Sequence, residues 1–160
     1  MFDSINKMIS GKNANEVASY TYNGFGHLVG KESPDAKQFV LDYTMQIPVN
    51  LTENDIKYVY GLERVSQTNG GSTLLYHNDR LGSAEKLTDL SGNVTASVRY
   101  DEWGKPSIII PGLNPNYTGH EYDKVLGIYY ARARFYDYAH EFMHDNINIW
   151  STHISPHVIR

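Results

Sequence analysis

The sequence predicts an all-β chain, a strip of stacked antiparallel hairpins with a short helix at its C-terminal end. Three observations predict it. Tyr and Gly each occur 13 times in 160 residues, the composition of many short strands joined by turns. An Asp stands three residues ahead of a Gly in Asp79/Gly82, Asp89/Gly92 and Asp101/Gly104. An Asp opening a type I turn can accept a hydrogen bond from the backbone two residues on, and a Gly at the fourth position tolerates the left-handed conformation of a bulged hairpin. Finally, those glycines recur after 10 and 12 residues, the period of hairpin units that bury their faces by stacking on their neighbours.

Taken in order, residues 1–16 show no sustained period and are expected to form a loosely held lead-in with one helical turn around Ile5 to Ile9. Tyr20-Thr21-Tyr22-Asn23-Gly24-Phe25-Gly26 gives the first tip, with Asn23 three residues before Gly26. After a polar break at Lys31 to Lys37, Gln38 to Tyr43 is an apolar run, and Pro48 keeps the next segment at an edge or bulge. Alternation resumes over Tyr58 to Val65, and Asn69-Gly70 suits a tight hairpin turn. Asn93 to Tyr100 and Ile128 to Tyr136 read as strands. In the latter, Tyr129, Ala131, Ala133 and Phe135 share one face, while Arg132 and Arg134 interleave with Tyr130 and Tyr136 on the other.

Composition sets bounds on function. The length suits one domain, and 41% apolar content is enough for an ordinary core. Without cysteine there are no disulfides or thiolate zinc sites. A net charge of −4 argues against a nucleic-acid partner. No apolar run is long enough for a membrane span, and Met1-Phe2-Asp3-Ser4 lacks the basic start and apolar block of a signal peptide. The Asn-x-Thr words at Asn50, Asn93 and Asn116 are explained by Asn in turns followed by Thr in strands. No cofactor is expected.

The words Tyr76-His77-Asn78-Asp79-Arg80-Leu81-Gly82-Ser83, Leu87-Thr88-Asp89, Gly92-Asn93, Tyr100-Asp101-Glu102-Trp103-Gly104, Thr118-Gly119-His120-Glu121-Tyr122-Asp123 and Gly127 through Asp137 succeed one another in order. Together they resemble the YD repeat and the Rhs repeat-associated core domain, over roughly Tyr20 to Asp137. The resemblance implies a segment (17–137) of a β-strand shell that encloses or presents a C-terminal effector or toxin. Upstream YD repeats would be its partners, and it would be secreted or on the cell surface as part of a longer bacterial protein. Asn23, Gly26, Asp79, Gly82, Asp89, Gly92, Asp101, Gly104, Gly119, Asp123 and Gly127 would be structural turn residues, not catalytic ones. Residues 138–160 depart from the family pattern: Tyr138 stands where a Pro is expected, and no Asp-Pro-x-Gly cleavage word comes after it. Self-cleavage is therefore not carried over.

That tail holds the one enzymatic motif, His140-Glu141-Phe142-Met143-His144. On a helix its two His would bind zinc from one face with Glu141 as general base, the site of a zinc metallopeptidase. A catalytic zinc needs a third protein ligand. His153 or His157 could supply a third nitrogen, yet Trp150 to Arg160 shows no pattern that would position either. Ala139, Met143, Ile147 and Trp150 lie on one helical stripe, so Tyr138 to Trp150 is read as a helix with its histidines incidental. A metallopeptidase and a cell-surface adhesion or carbohydrate-binding module are the alternatives to a structural shell segment. An unfinished strip of this kind also exposes strand edges, so self-association is expected.

Overall fold

A computed structural model describes residues 1–4, 7–45, 47–107, 113–132, 134–139 and, as backbone, 142–144. Ten strands succeed one another in an antiparallel meander: β1 (Ser10–Lys12), β2 (Val17–Tyr22), β3 (Leu28–Glu32), β4 (Lys37–Asp42), β5 (Val49–Glu53), β6 (Ile56–Tyr60), β7 (Arg64–Asn69), β8 (Ser72–Asn78), β9 (Ala84–Thr88) and β10 (Val94–Ser97). Beyond β10 an isolated bridge between Tyr100 and Pro106 carries one more tip. After a single 3-10 turn at Tyr117–Gly119, a second sheet orders β11 (Glu121–Asp123), β12 (Ile128–Ala131), β13 (Arg134–Asp137) and β14 (Phe142–His144). Strand order equals sequence order throughout, which is the strip that the hairpin spacing predicts.

Alternation decides which side chains face inward. In β2, Ala18 and Tyr20 are buried while Val17, Ser19 and Thr21 are exposed, the period-two pattern of a half-buried strand. Two apolar clusters result. One joins Met8, Ala18, Tyr20 and Leu28 to Val125, Ile128 and Phe135 of the second sheet, and the other gathers Ala84, Leu87, Ala96, Val98 and Leu113. The second sheet touches the strip near both of its ends: Tyr20 packs edge-on against Phe135 at 6.1 Å, and the Tyr129 hydroxyl donates to the Gly104 carbonyl at 2.8 Å. The strip must therefore curve around it.

Three expectations are corrected. The lead-in is not loosely held over its described residues: Phe2 bridges Met8, Met8 is fully buried, and Ser10–Lys12 pair with β2. Ile5 and Asn6, within the expected helical turn, lie outside the described residues. Ile128 to Tyr136 is not one strand. Arg132 takes φ +62° and Ala131 pairs directly with Arg134, which folds the segment into a tight hairpin. Tyr129 now faces Tyr136 across it, with rings 6.4 Å apart and stacked, so the interleaved Arg/Tyr face does not form. Nor is the segment after Tyr138 a helix where it is described, because Phe142–His144 add to β13 as an edge strand. The open edge of β13 offers a ladder of backbone partners, and pairing with it overrides the helical spacing of the apolar residues. A smaller difference concerns the Asn69-Gly70 turn, whose two-residue loop is Gly70-Gly71 with both at positive φ and Asn69 already paired with Ser72.

Candidate functional site

Four tips share one construction. In each, the Asn or Asp carbonyl accepts the glycine N–H: Asn23 from Gly26 at 2.9 Å, Asp79 from Gly82 at 3.2 Å, Asp89 from Gly92 at 3.1 Å and Asp101 from Gly104 at 3.1 Å. The side-chain Oδ1 of each accepts two further N–H groups, two and four residues on, as in Leu81 and Ser83 to Asp79. The glycines lie at φ between +79° and +87°, where a β-carbon is strained. Gly119 (φ +76°) ends the 3-10 turn. Asp123 opens a longer turn, with its carbonyl accepting Gly127 N–H at 2.8 Å and its Oδ1 accepting Val125 and Leu126 N–H.

Between the two apolar clusters the inner face is polar. The Arg64 guanidinium lies 4.1 Å from the Tyr58 ring centre and 5.6 Å from those of Tyr60 and Tyr76, and it ion-pairs with Glu121 of the second sheet at 2.5 Å. Lys37 pairs with Glu53 at 2.6 Å. A planar guanidinium can lie flat on the rings while its N–H fork bonds a carboxylate. Burial alone would raise the Glu121 carboxyl, but the attraction of Arg64 and Lys37 outweighs it and holds the group below its usual range. Burial also pushes up the Tyr58 and Tyr60 phenols and raises Tyr76 to about 12, so these hydroxyls stay protonated; those of Tyr58 and Tyr76 donate to Glu53 and Gln67, while that of Tyr60 accepts from Arg64.

Two further links hold the second sheet. Near one end, Lys31 ion-pairs with Asp123 Oδ2 at 3.0 Å, and the Tyr20 hydroxyl donates to the same oxygen at 2.7 Å. Near the other, the Tyr129 and Tyr136 hydroxyls each donate at 2.8 Å to carbonyls of one tip, those of Gly104 and Trp103. The sequence words contain Arg64, Glu121, Lys31, Tyr20 and Tyr129, yet nothing local marks them. Their partners lie 57, 92, 103 or 25 residues away, separations at which spacing carries no signal.

In a meander, successive tips alternate between the two rims. The rim holding tips 23–27, 43–48, 61–63, 79–83 and 101–105 displays Phe25, Met45, Ile47, Leu62, Leu81 and Trp103 to solvent. Among the described residues, Leu90 is the exposed large apolar side chain at the tips of the opposite rim. Behind the apolar rim lies a groove of about 420 Å³, lined by Phe39, Met45, Ile47, Tyr60, Tyr130 and Arg132 among others.

Of the zinc-motif residues, His140, Glu141, His153 and His157 lie outside the described residues. His144 pairs with Phe135 in the edge strand, so the helical one-turn spacing that would bring it beside His140 is not formed at residues 142–144. His27 closes the first Asn turn, and His77 hydrogen-bonds Thr88 at 2.9 Å. His120 has its pKa lowered by burial and by Arg132. No described helix is long and apolar enough to cross a membrane.

No family model matches the chain. It is 33% identical over 87 residues to the tRNA3(Ser)-specific nuclease WapA of Bacillus spizizenii, a match covering 50% of this chain and 4% of that protein. It is likewise 33% identical over 67 residues to the tRNA(Glu)-specific nuclease WapA of Bacillus subtilis subsp. natto, covering 39% and 3%. The crystal structure of TcdB2-TccC3 superposes on 86% of this chain and 8% of its own, with a TM-score of 0.61 at 15% identity. The form without its hypervariable C-terminal region gives 0.62. The chain thus spans a few per cent of the length of these relatives and shares with the structures a fold of consecutive antiparallel hairpins.

Proposed function

We propose that the chain is a structural segment of a YD-repeat shell within a longer exported toxin-type protein, enclosing or presenting the segment C-terminal to it. The observation that carries this reading is the meander itself. Ten strands run in unbroken sequence order and curve around a second sheet, with a polar inner face between two apolar clusters. Such a strip has no natural end, because each edge offers unpaired backbone groups to the next strand. The matches to a few per cent of much longer proteins support the same reading. The nuclease activity in the names of the WapA relatives belongs to those whole proteins. In this proposal the apolar rim from Phe25 to Trp103 meets further hairpin repeats, since large apolar side chains exposed at tip after tip of one rim suit an interaction surface. The turn residues and the inner-face ion pairs are scaffold, with no catalytic role.

The test joins the chain to upstream hairpin repeats and places a protease-sensitive reporter after residue 160. In the joined protein the reporter is expected to resist proteolysis for as long as the shell is folded. A reporter cut as fast as the same segment free in solution would remove enclosure. Unchanged stability of the chain when repeats are added would remove the rim as their docking surface.

A further inference from the structure

We propose that Lys31 and Asp123 are the site of an intramolecular amide crosslink, formed by the fold itself, that joins β3 of the strip to the end of β11 in the second sheet. The proposal is independent of the shell reading and rests on the group around Asp123. Lys31, Asp123 and Tyr20 are exposed by 8%, 6% and 5% respectively, and Tyr20 belongs to the apolar cluster of Met8, Ala18, Leu28, Val125, Ile128 and Phe135. Lys31 Nζ stands 3.0 Å from Asp123 Oδ2, so the pair holds the amine beside the carboxyl group it would attack. The Val125 and Leu126 N–H groups, at 2.9 and 3.0 Å, both point at Oδ1. That pair of fixed donors is the arrangement that stabilises an oxyanion. The Tyr20 hydroxyl, at 2.7 Å, reaches the other oxygen.

Each group then has a role in a balanced condensation. The reaction begins with transfer of a proton from the Lys31 ammonium to Asp123 Oδ2 across the 3.0 Å contact, which gives a neutral amine beside a neutral acid. The Nζ lone pair attacks Cγ, and the carbonyl electrons move onto Oδ1, where the two N–H groups hold them. One proton then leaves nitrogen and is relayed through the Tyr20 hydroxyl to Oδ2. The Cγ–Oδ2 bond breaks, water departs, and the carbonyl re-forms at Oδ1. One ammonium and one carboxylate give one amide and one water; nothing is oxidised or reduced, and no co-reactant is needed. The Lys37–Glu53 pair is an internal contrast. It is closer, at 2.6 Å, but more exposed at 16% and 10%. Its carboxylate receives the Tyr58 hydroxyl at 3.4 Å and, among the described residues, no pair of N–H donors. It is expected to remain an ion pair.

The experiment is the intact mass of the purified full chain, followed by tandem mass spectrometry of its proteolytic fragments. The expected result is a mass one water below that of the sequence, with a branched peptide joining the Lys31 and Asp123 segments. Lys31→Arg is expected to return to its full sequence mass, and Tyr20→Phe to give a mixture that converts slowly. Wild-type protein at its full mass, fresh and after prolonged incubation, overturns the proposal whether or not any variant folds. A water loss that persists in Lys31→Arg also overturns it, since that marks dehydration without the Lys31 amine, as in an aspartyl succinimide. A branched peptide mapping to Lys37 and Glu53 would do the same. Tyr20→Phe crosslinking as fast as wild type would remove the relay.

Discussion

The tips at Asp89–Gly92 and Asp101–Gly104 are built alike and placed differently. Both have the glycine at positive φ, +86° and +87°, both close with a glycine N–H to Asp carbonyl bond of 3.1 Å, and both use the Asp Oδ1 twice. Around Gly92 nothing would meet an added β-carbon, whereas at Gly104 that carbon would fall within 2.7 Å of Tyr117 Cγ. The second tip is also gripped by the Tyr129 and Tyr136 hydroxyls. One tip is a turn in water; the other is a turn used as a socket. The same local chemistry therefore serves two purposes, and only the neighbours distinguish them.

The largest effect expected from breaking this comparison is at the glycines. Gly92→Ala carries only backbone strain and should cost about 1 to 2 kcal/mol. Gly104→Ala adds a collision with an aromatic ring and should cost about 3 to 4 kcal/mol. Urea unfolding of the two variants measures the gap, and equal losses would mean that the socket at Gly104 can relax. Next comes Tyr129→Phe, which leaves the Gly104 carbonyl without the hydroxyl it accepts from and should cost about 1 to 2 kcal/mol. Tyr136→Phe, whose bond to Trp103 is solvent-exposed, should cost about half as much. The same unfolding measurement ranks them, and a reversed order would contradict the burial argument.

Removing the shared local element should level the two tips. Asp89→Ala and Asp101→Ala are each expected to lower the urea midpoint by a similar amount, since each loses the same capping-type side-chain acceptor. A clear difference between the two shifts would show that the turn bonds are not local. The smallest effect is in pH. The Asp89 carboxyl is held below its usual range by the Asn93 side chain and then by the Asn93 backbone N–H. Its folded pKa being depressed, its contribution to stability is present above the ordinary carboxylate pKa and is lost as pH falls through the folded value. An NMR titration of Asp89 should show a midpoint below that of an unstructured Asp, and Asn93→Ala should move it back upward.

The turns were legible because their chemistry is complete within five residues: the Asx oxygen, the intervening N–H groups and the permissive glycine all lie in one sequence word. Alternation was legible for the same reason in β2, where each second residue faces in. It failed at Arg132, where a non-glycine residue at φ +62° bends the chain without any turn word to announce it. It also failed where an apolar segment had two outlets. Ala139, Met143, Ile147 and Trp150 suit a helix, but the unpaired edge of β13 lies within reach of Phe142–His144 and takes those residues as a strand. Met8 took the same course at the other end, recruited by a second sheet more than a hundred residues downstream.

By itself, then, the sequence determined the hairpin strip and the geometry of its tips, since strand period and turn chemistry act between near neighbours whose entropy cost of meeting is small. The tertiary structure alone decided which tip became a socket, which arginine lay over tyrosines, and which lysine met Asp123 inside the core. The socket and the Lys31–Asp123 pair join residues 25 to 92 apart, and Arg64 is held over its tyrosines by Glu121, 57 residues away. A long closure is repaid only when many of them form together, so no single spacing in the chain records them.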